Sequence, residues 1–460
     1  MSSQQTLETS SSPRLAPHRR YRPTILPRSS GLHEGEPETC KRDWRKFVAI
    51  MARLGLLLGL VMVYRLEGRA FQWVTGLACV SLPVHYALPF AWKKPFFVAV
   101  SVAALGLILG AVAALAVVAV TCLLIGLCRA PVAFGVRVVL AACVGVGAAA
   151  ARVGFASWLP VPDYVWTVVA WLCMFRLIIY MYELKHATSR EPLIDALSYF
   201  FLLPNFCFQL FPVVDYRTMQ RVYFARDIHE TQRVGLRMML LGVFQLIGYR
   251  VVYHDFVGRP EDVAGLASLT IFLVSNYLLY LHVAGQFHIA CGILHLFGWS
   301  LPETHHNFLL ARSFTAYWRR INIYWKDFMV RIVFNPVVFA LKRRPRPLAL
   351  AAATAGVFVA TWVLHAYQSF WLRGVWGWSV PDALFWGILG LLVMVNVQID
   401  ARRSTGRGRD SEPSTVWGWT VRGAQTAATF TSICLLWSLW SSPSLAVWLD
   451  LMKRGLRLSY

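Results

Sequence analysis

Leu348–Trp371, LALAAATAGVFVATWVLHAYQSFW, is 24 residues of almost unbroken apolar sequence between the basic run Lys342–Arg346 (KRRPR) and Arg373. Roughly 20 apolar residues suffice for a helix to cross a bilayer, so this stretch reads as a membrane span. One residue in it is out of place: His365. Arg373 lies eight residues further on, roughly 12 Å along a helix, so the imidazole sits deeper than a headgroup anchor. Ionisable groups at that depth are costly and mark a functional site by default. The chemistry open to it is that of a general base, a proton relay or a ligand.

Just upstream runs Ser313–Leu341, SFTAYWRRINIYWKDFMVRIVFNPVVFAL. It is too charged for an ordinary span and too aromatic for an ordinary loop, as expected of an interface or the lining of a wet cavity. Read as one helix, it places Arg319, Asn322 and Lys326 at i, i+3 and i+7 on one side. Trp318, Trp325 and Phe328 form an adjacent aromatic stripe. Asn322 is no base, but its amide can hydrogen-bond a carbonyl or a developing oxyanion. Arg319 and Arg320 suit the phosphates of a donor such as coenzyme A or phosphopantetheine, or lipid headgroups. Asp327 and Arg331, at i and i+4, are expected to pair for structure.

The whole chain agrees with a membrane class. Of 460 residues, 57% are hydrophobic and 15% charged, with a mean hydropathy of +0.51; a soluble globular domain is excluded. The runs are continuously apolar rather than alternating, which excludes a β-barrel. A formal charge of +22 invites a nucleic-acid partner, but the basic residues punctuate the apolar runs (Lys93, Lys94, Arg129, Lys342–Arg346, Arg402–Arg409) as loop charges that set topology do. No nucleic acid is expected. The nine cysteines have no CxxC or Cys/His spacing, and no metal site is read. Serine-elbow, P-loop and dinucleotide motifs are absent.

Residues 1–45 are rich in Ser, Pro, Arg and Glu and are expected to form a disordered basic cytoplasmic tail; residues 46–460 form the transmembrane domain. Expected spans are Phe47–Tyr64 (interrupted by Arg53, which must snorkel or face other helices), Phe71–Trp92, Val132–Ala151, Val165–Tyr182 (carrying Arg176), Val234–Val252, Val263–Leu281, Leu348–Trp371, Val380–Val397 and Val416–Trp440. Phe96–Leu127 is too long for one upright span, so it is either strongly tilted or two tightly turned helices. Val132–Ala151 is rich in Ala and Gly, suiting close helix approach. Ile194–Tyr216 is a proline-broken helix, Arg221–Glu230 an interfacial helix, and Leu445–Met452 a short C-terminal stretch. About eleven crossings result. His282, His288, His295, His305 and His306 lack compact ligand spacing and read as structural or interfacial. No internal repeat is seen, which counts against a transporter of inverted halves.

Three blocks resemble the membrane-bound O-acyltransferase (MBOAT) superfamily, in particular its bacterial branch of alginate O-acetyltransferases and the teichoic acid D-alanyl transfer protein. They are Leu197–Met219 (LSYFFLLPNFCFQLFPVVDYRTM), Tyr277–Met329 with its LFGWSLPETHHN turn and WRRINI helix, and Thr361–Tyr367 (TWVLHAY). The resemblance implies an all-α ring of about eleven helices around a central tunnel in the cell inner membrane. It aligns His365 with the superfamily's near-invariant histidine, as base, and Asn322 with its second catalytic position. Arg319, Arg320, Lys326, Trp318, Tyr324 and Trp325 would bind the donor, an acyl-CoA or acyl-carrier phosphopantetheine thioester. The acceptor would be a hydroxyl of a cell-surface glycan or glycolipid, with an extracytoplasmic SGNH-type or polymer-synthesis partner. The alternatives are a lipid or small-metabolite acceptor, or a proton-coupled transporter or flippase.

Overall fold

In the computed structural model, the described residues are 41–155, 161–187, 191–208, 214–403 and 415–457. They are helical throughout, with only an isolated bridge between Tyr223 and Trp299 outside the helices. The tail expected at residues 1–45 lies outside them except for its last five residues. Asp43 already caps the first helix, α1 (Trp44–Val63), by accepting the Arg45 and Lys46 N–H groups at 3.1 and 3.2 Å. That exchange satisfies two of the four donors a helix start leaves over.

Next come α2 (Arg69–Ala87), α3 (Phe90–Leu109), α4 (Ala111–Arg129), α5 (Phe134–Arg152) and α6 (Tyr164–Lys185). The long run at Phe96–Leu127 is two helices. Gly110 breaks it at φ 82°, ψ 162°, a backbone conformation glycine adopts without the penalty a Cβ would bring. Among the described residues, nine helices are long and apolar enough to cross a membrane: α1, α3 to α6, Ile228–Phe256, Leu266–Leu296, Arg346–Arg373 and Val380–Arg402. Helices also form where the sequence places spans at Phe71–Trp92 and Val416–Trp440, but they fall short of that apolarity.

The proline-broken segment is α7 (Leu193–Phe200), a 3₁₀ turn at Leu203–Phe206, and α8 (Tyr216–Arg221); residues 209–213 lie outside the described residues. Buried Arg176 on α6 supports the break. Its guanidinium donates to Asn205 Oδ1 at 2.6 Å and to the Phe200 carbonyl at 3.2 Å, serving groups that an interrupted helix leaves without intrahelical partners. The helix expected at Arg221–Glu230 is not continuous. Phe224 has φ 48°, and α9 (Ile228–Val251) starts only after Asp227 caps it through Glu230 N–H.

α10 (Leu266–Leu278) and α11 (Leu281–Leu296) follow. The tightest helix seam is α9 on α11, where a Cβ on Gly242 would lie 2.6 Å from the Gly285 carbonyl oxygen and one on Gly235 would lie 2.8 Å from that of Gly292. Small residues permit such backbone approach. The Ala/Gly-rich helix expected to do this, α5, does not: its Gly135, Gly145 and Gly147 have open space around them. Composition signals that close approach is permitted, and the partner helix decides whether it happens. Arg53 is exposed on α1 rather than turned toward other helices. The remaining helices are α12 (Phe314–Arg320), α13 (Ile323–Met329), α14 (Asn335–Ala340), α15 (Arg346–Arg373), α16 (Val380–Arg403), α17 (Val416–Trp440) and α18 (Leu445–Leu456).

Candidate functional site around His365

The charged segment after α11 is not one helix. α12 ends at Arg320, Ile321 is extended, and Asn322 sits at φ 40°, ψ 63° as the N-cap of α13. The single face expected for Arg319, Asn322 and Lys326 therefore does not exist, because the chain turns between the first and the other two. Asn tolerates the left-handed conformation better than most residues. Its Oδ1 accepts the Trp325 N–H at 3.3 Å, and its amide group remains a donor. The turn is braced from outside: Ile323 N–H donates to the Thr304 carbonyl at 2.8 Å, and His306 N–H to the Arg320 carbonyl at 3.0 Å. The LFGWSLPETHHN turn thus grips the break at both ends.

α13 carries Trp325 to α15. Its indole N–H lies 3.4 Å from Thr361 Oγ1, four residues before His365, and its ring centroid lies 5.7 Å from that of His365. The imidazole stacks on Trp386 of α16 at 4.8 Å and 27° between planes, and meets Trp440 of α17 edge-on at 6.1 Å and 84°. Three indoles from three helices therefore wall one half-buried imidazole. Among the described residues neither ring nitrogen of His365 forms a hydrogen bond, leaving both for chemistry.

The sequence-assigned residues divide between this wall and other tasks. Trp325 touches His365 directly, and Asn322 sets the start of the helix that carries Trp325. Trp318 packs on Phe358 of α15, with centroids 4.7 Å apart. Arg319 is exposed. Arg320 donates to the Leu310 carbonyl at 3.3 Å, and Lys326 pairs with Asp327 at 2.5 Å. Tyr324 is a strut, its hydroxyl donating to the Pro302 carbonyl at 2.6 Å; burial pushes that phenol well above its ordinary range. The expected Asp327–Arg331 pair is absent from this arrangement. Arg331 instead reaches buried Glu183 and, at 2.5 Å, Asp215, because a turn of π-helix at Val330–Phe334 rotates it away.

The histidines on and after α11 have local partners. His282 Nε2 meets Glu67 at 2.7 Å, His288 Nδ1 meets Gln245 at 2.8 Å, His295 Nδ1 meets the Cys291 carbonyl at 2.8 Å, and His306 Nδ1 meets Glu303 at 2.9 Å. His305 Nε2 meets the Tyr280 hydroxyl at 2.9 Å. Burial holds the His305 imidazole well below its ordinary pKa. Among the described residues no group of His, Cys, Asp or Glu is placed to hold a metal ion.

Sequence reasoning missed Trp386 and Trp440. Both lie in segments that read as plain spans, and tryptophan inside an apolar run gives no signal of what it faces. The acid Asp382 at the start of α16 was the one visible hint. Compared with known proteins, the chain matches no family model and no curated relative.

Proposed function

We propose that this chain is a membrane-bound O-acyltransferase of the MBOAT kind. It moves an acyl group from a cytoplasmic thioester, acyl-CoA or an acyl-carrier phosphopantetheine, to a hydroxyl of a cell-surface glycan or glycolipid. The observation that carries this reading is His365: a half-buried imidazole in a span, walled by indoles, with both ring nitrogens unengaged.

In the proposed step, His365 removes the acceptor hydroxyl proton as that oxygen attacks the thioester carbonyl. The tetrahedral oxyanion collapses, the C–S bond breaks, and the imidazolium returns its proton to the departing thiolate. A thioester is already activated, so positioning and one base are chemically sufficient; general-base assistance contributes about 10²–10⁴ in rate. With its Oδ1 committed to the Trp325 N–H, Asn322 keeps an amide donor, the polarity an oxyanion requires. Arg319 and Lys326 supply positive charge for the donor's phosphates, and Trp318 and Trp325 supply apolar wall. Arg320 and Tyr324 hold the LFGWSLPETHHN turn that braces the donor side.

About eleven crossings in the inner membrane, with the basic loops cytoplasmic and a ring around a tunnel, complete the proposal. Transfer onward to an extracytoplasmic SGNH-type or polymer-synthesis partner is part of the same reading. The test uses full-length protein in proteoliposomes with labelled acyl-CoA and a polyol or glycolipid acceptor. The expected result is thioester consumption with a covalent ester product, lost in His365→Ala. Proton-driven flux of a substrate without covalent product would overturn the reading in favour of transport.

A further inference from the structure

Nothing polar holds His365, yet a general base needs a fixed orientation; what fixes its ring is its indole wall. The question is then what fixes the wall. Trp440 donates its indole N–H to Asp382 Oδ1 at 2.7 Å. Among the described residues, the indole nitrogens of Trp362 and Trp386 and Asp382 Oδ2 form no hydrogen bond, so the link between carboxylate and wall is the one to Trp440. Trp386, one turn along α16 from Asp382, and Trp440 form the stacked and edge-on faces around His365. Their own centroids are 6.0 Å apart.

Asp382 is only 8% exposed and sits in the first turn of α16, with its backbone N–H on Ser379 Oγ at 3.1 Å. Among the described residues no Lys, Arg or His forms an ion pair with it. A buried carboxylate without a cation is expensive, and here the compensation comes from the Trp440 indole N–H and the positive end of a helix. For packing alone, an apolar residue would serve as well. An acid at this place is explained by the indole it ties down.

We propose that Asp382 is a positioning residue for His365, its carboxylate tying the Trp440 indole of α17 to the start of α16 and so fixing the wall that orients the imidazole. Asp382 acts on the base through Trp440, which packs against both His365 and Trp386, not by touching it. The inference rests on the proposed acyl transfer for its purpose, but its geometry is testable without that reaction.

The experiment follows His365 in full-length protein in nanodiscs, using Asp382→Asn and Trp440→Phe, the second of which removes one indole donor and keeps an aromatic ring. Diethylpyrocarbonate modification of His365, read by peptide mass spectrometry, reports its orientation and shielding without assuming any activity. Near-UV circular dichroism reports the indoles. The expected result in either folded variant is several-fold faster His365 modification and an altered indole spectrum. Where transfer is measured, kcat falls about tenfold with the thioester KM unchanged, the pattern of lost positioning. Should Asp382→Asn fail to fold, Trp440→Phe decides. Unchanged His365 modification with an unchanged indole spectrum overturns the proposal. Altered modification in a protein whose wild type transfers no acyl group supports Asp382's positioning role and overturns the acyltransferase reading alone.

Discussion

Alanine at Gly242 is the sharpest test of how the bundle holds its site. The added methyl would lie 2.6 Å from the Gly285 carbonyl oxygen and 2.6 Å from Ile289 Cγ1. Ordinary heavy-atom contacts begin near 3.5 Å, so α9 and α11 must part by roughly 1 Å. One obstacle is backbone and cannot rotate away, so the clash falls on the whole seam and should destabilise by about 1–3 kcal/mol. Alanine also favours a helix over glycine by up to about 1 kcal/mol, which would blur a comparison with wild type. Gly145→Ala in α5 removes that ambiguity, because nothing lies within 4 Å of the new methyl there. The propensity gain is common to both variants, so Gly242→Ala should lie about 1–3 kcal/mol below Gly145→Ala. The assay is SDS-induced unfolding of purified full-length protein in mild detergent, followed by circular dichroism. Equal stability of the two variants would refute the assignment of the α9–α11 seam. The seam also anchors the turn that grips Asn322, so Gly242→Ala should lower acyl transfer while Gly145→Ala leaves it intact.

His365→Ala should abolish transfer while inserting and folding as wild type, checked by product formation alongside monodispersity in detergent. At Asn322, glycine keeps the left-handed backbone and loses the side chain, so stability should drop by only a few tenths of a kcal/mol; valine should cost about 1–3 kcal/mol through strain. A transfer defect in Asn322→Gly at near-normal stability would separate an amide role in catalysis from capping. For His305, the folded-state pKa is depressed by burial, so the unfolded chain binds the extra proton first. Its contribution to stability is then fully present above the unfolded value, near 6.5, and is lost as pH falls below it. His305→Gln should flatten the acid-side decline of thermal stability between about pH 6.5 and 5, and a superimposable pH profile would contradict the buried neutral imidazole.

The class of the protein was legible in local sequence. Spanning helices such as Arg346–Arg373 and Tyr164–Lys185 announce themselves because a bilayer imposes length and apolarity on each span separately, and so does His365 as the odd residue in one of them. The break at Ile321–Asn322 was not legible: WRRINIYWKDF has acceptable helix formers throughout. What ends α12 there is a pair of backbone hydrogen bonds to Thr304 and His306, residues 19 and 14 positions upstream of their partners Ile323 and Arg320. Likewise, glycine content pointed to α5 for close packing, whereas the approach occurs at α9 and α11, where two glycine rows meet each other.

The sequence by itself determined that the chain crosses a membrane as many helices and that the span around Leu348–Trp371 carries His365, since both follow from the transfer energetics of single segments. Only the tertiary structure decided what surrounds that imidazole. Trp325, Trp386, Trp440 and Asp382 come from three different helices, and their meeting depends on how those helices pack, which hydropathy along the chain does not encode.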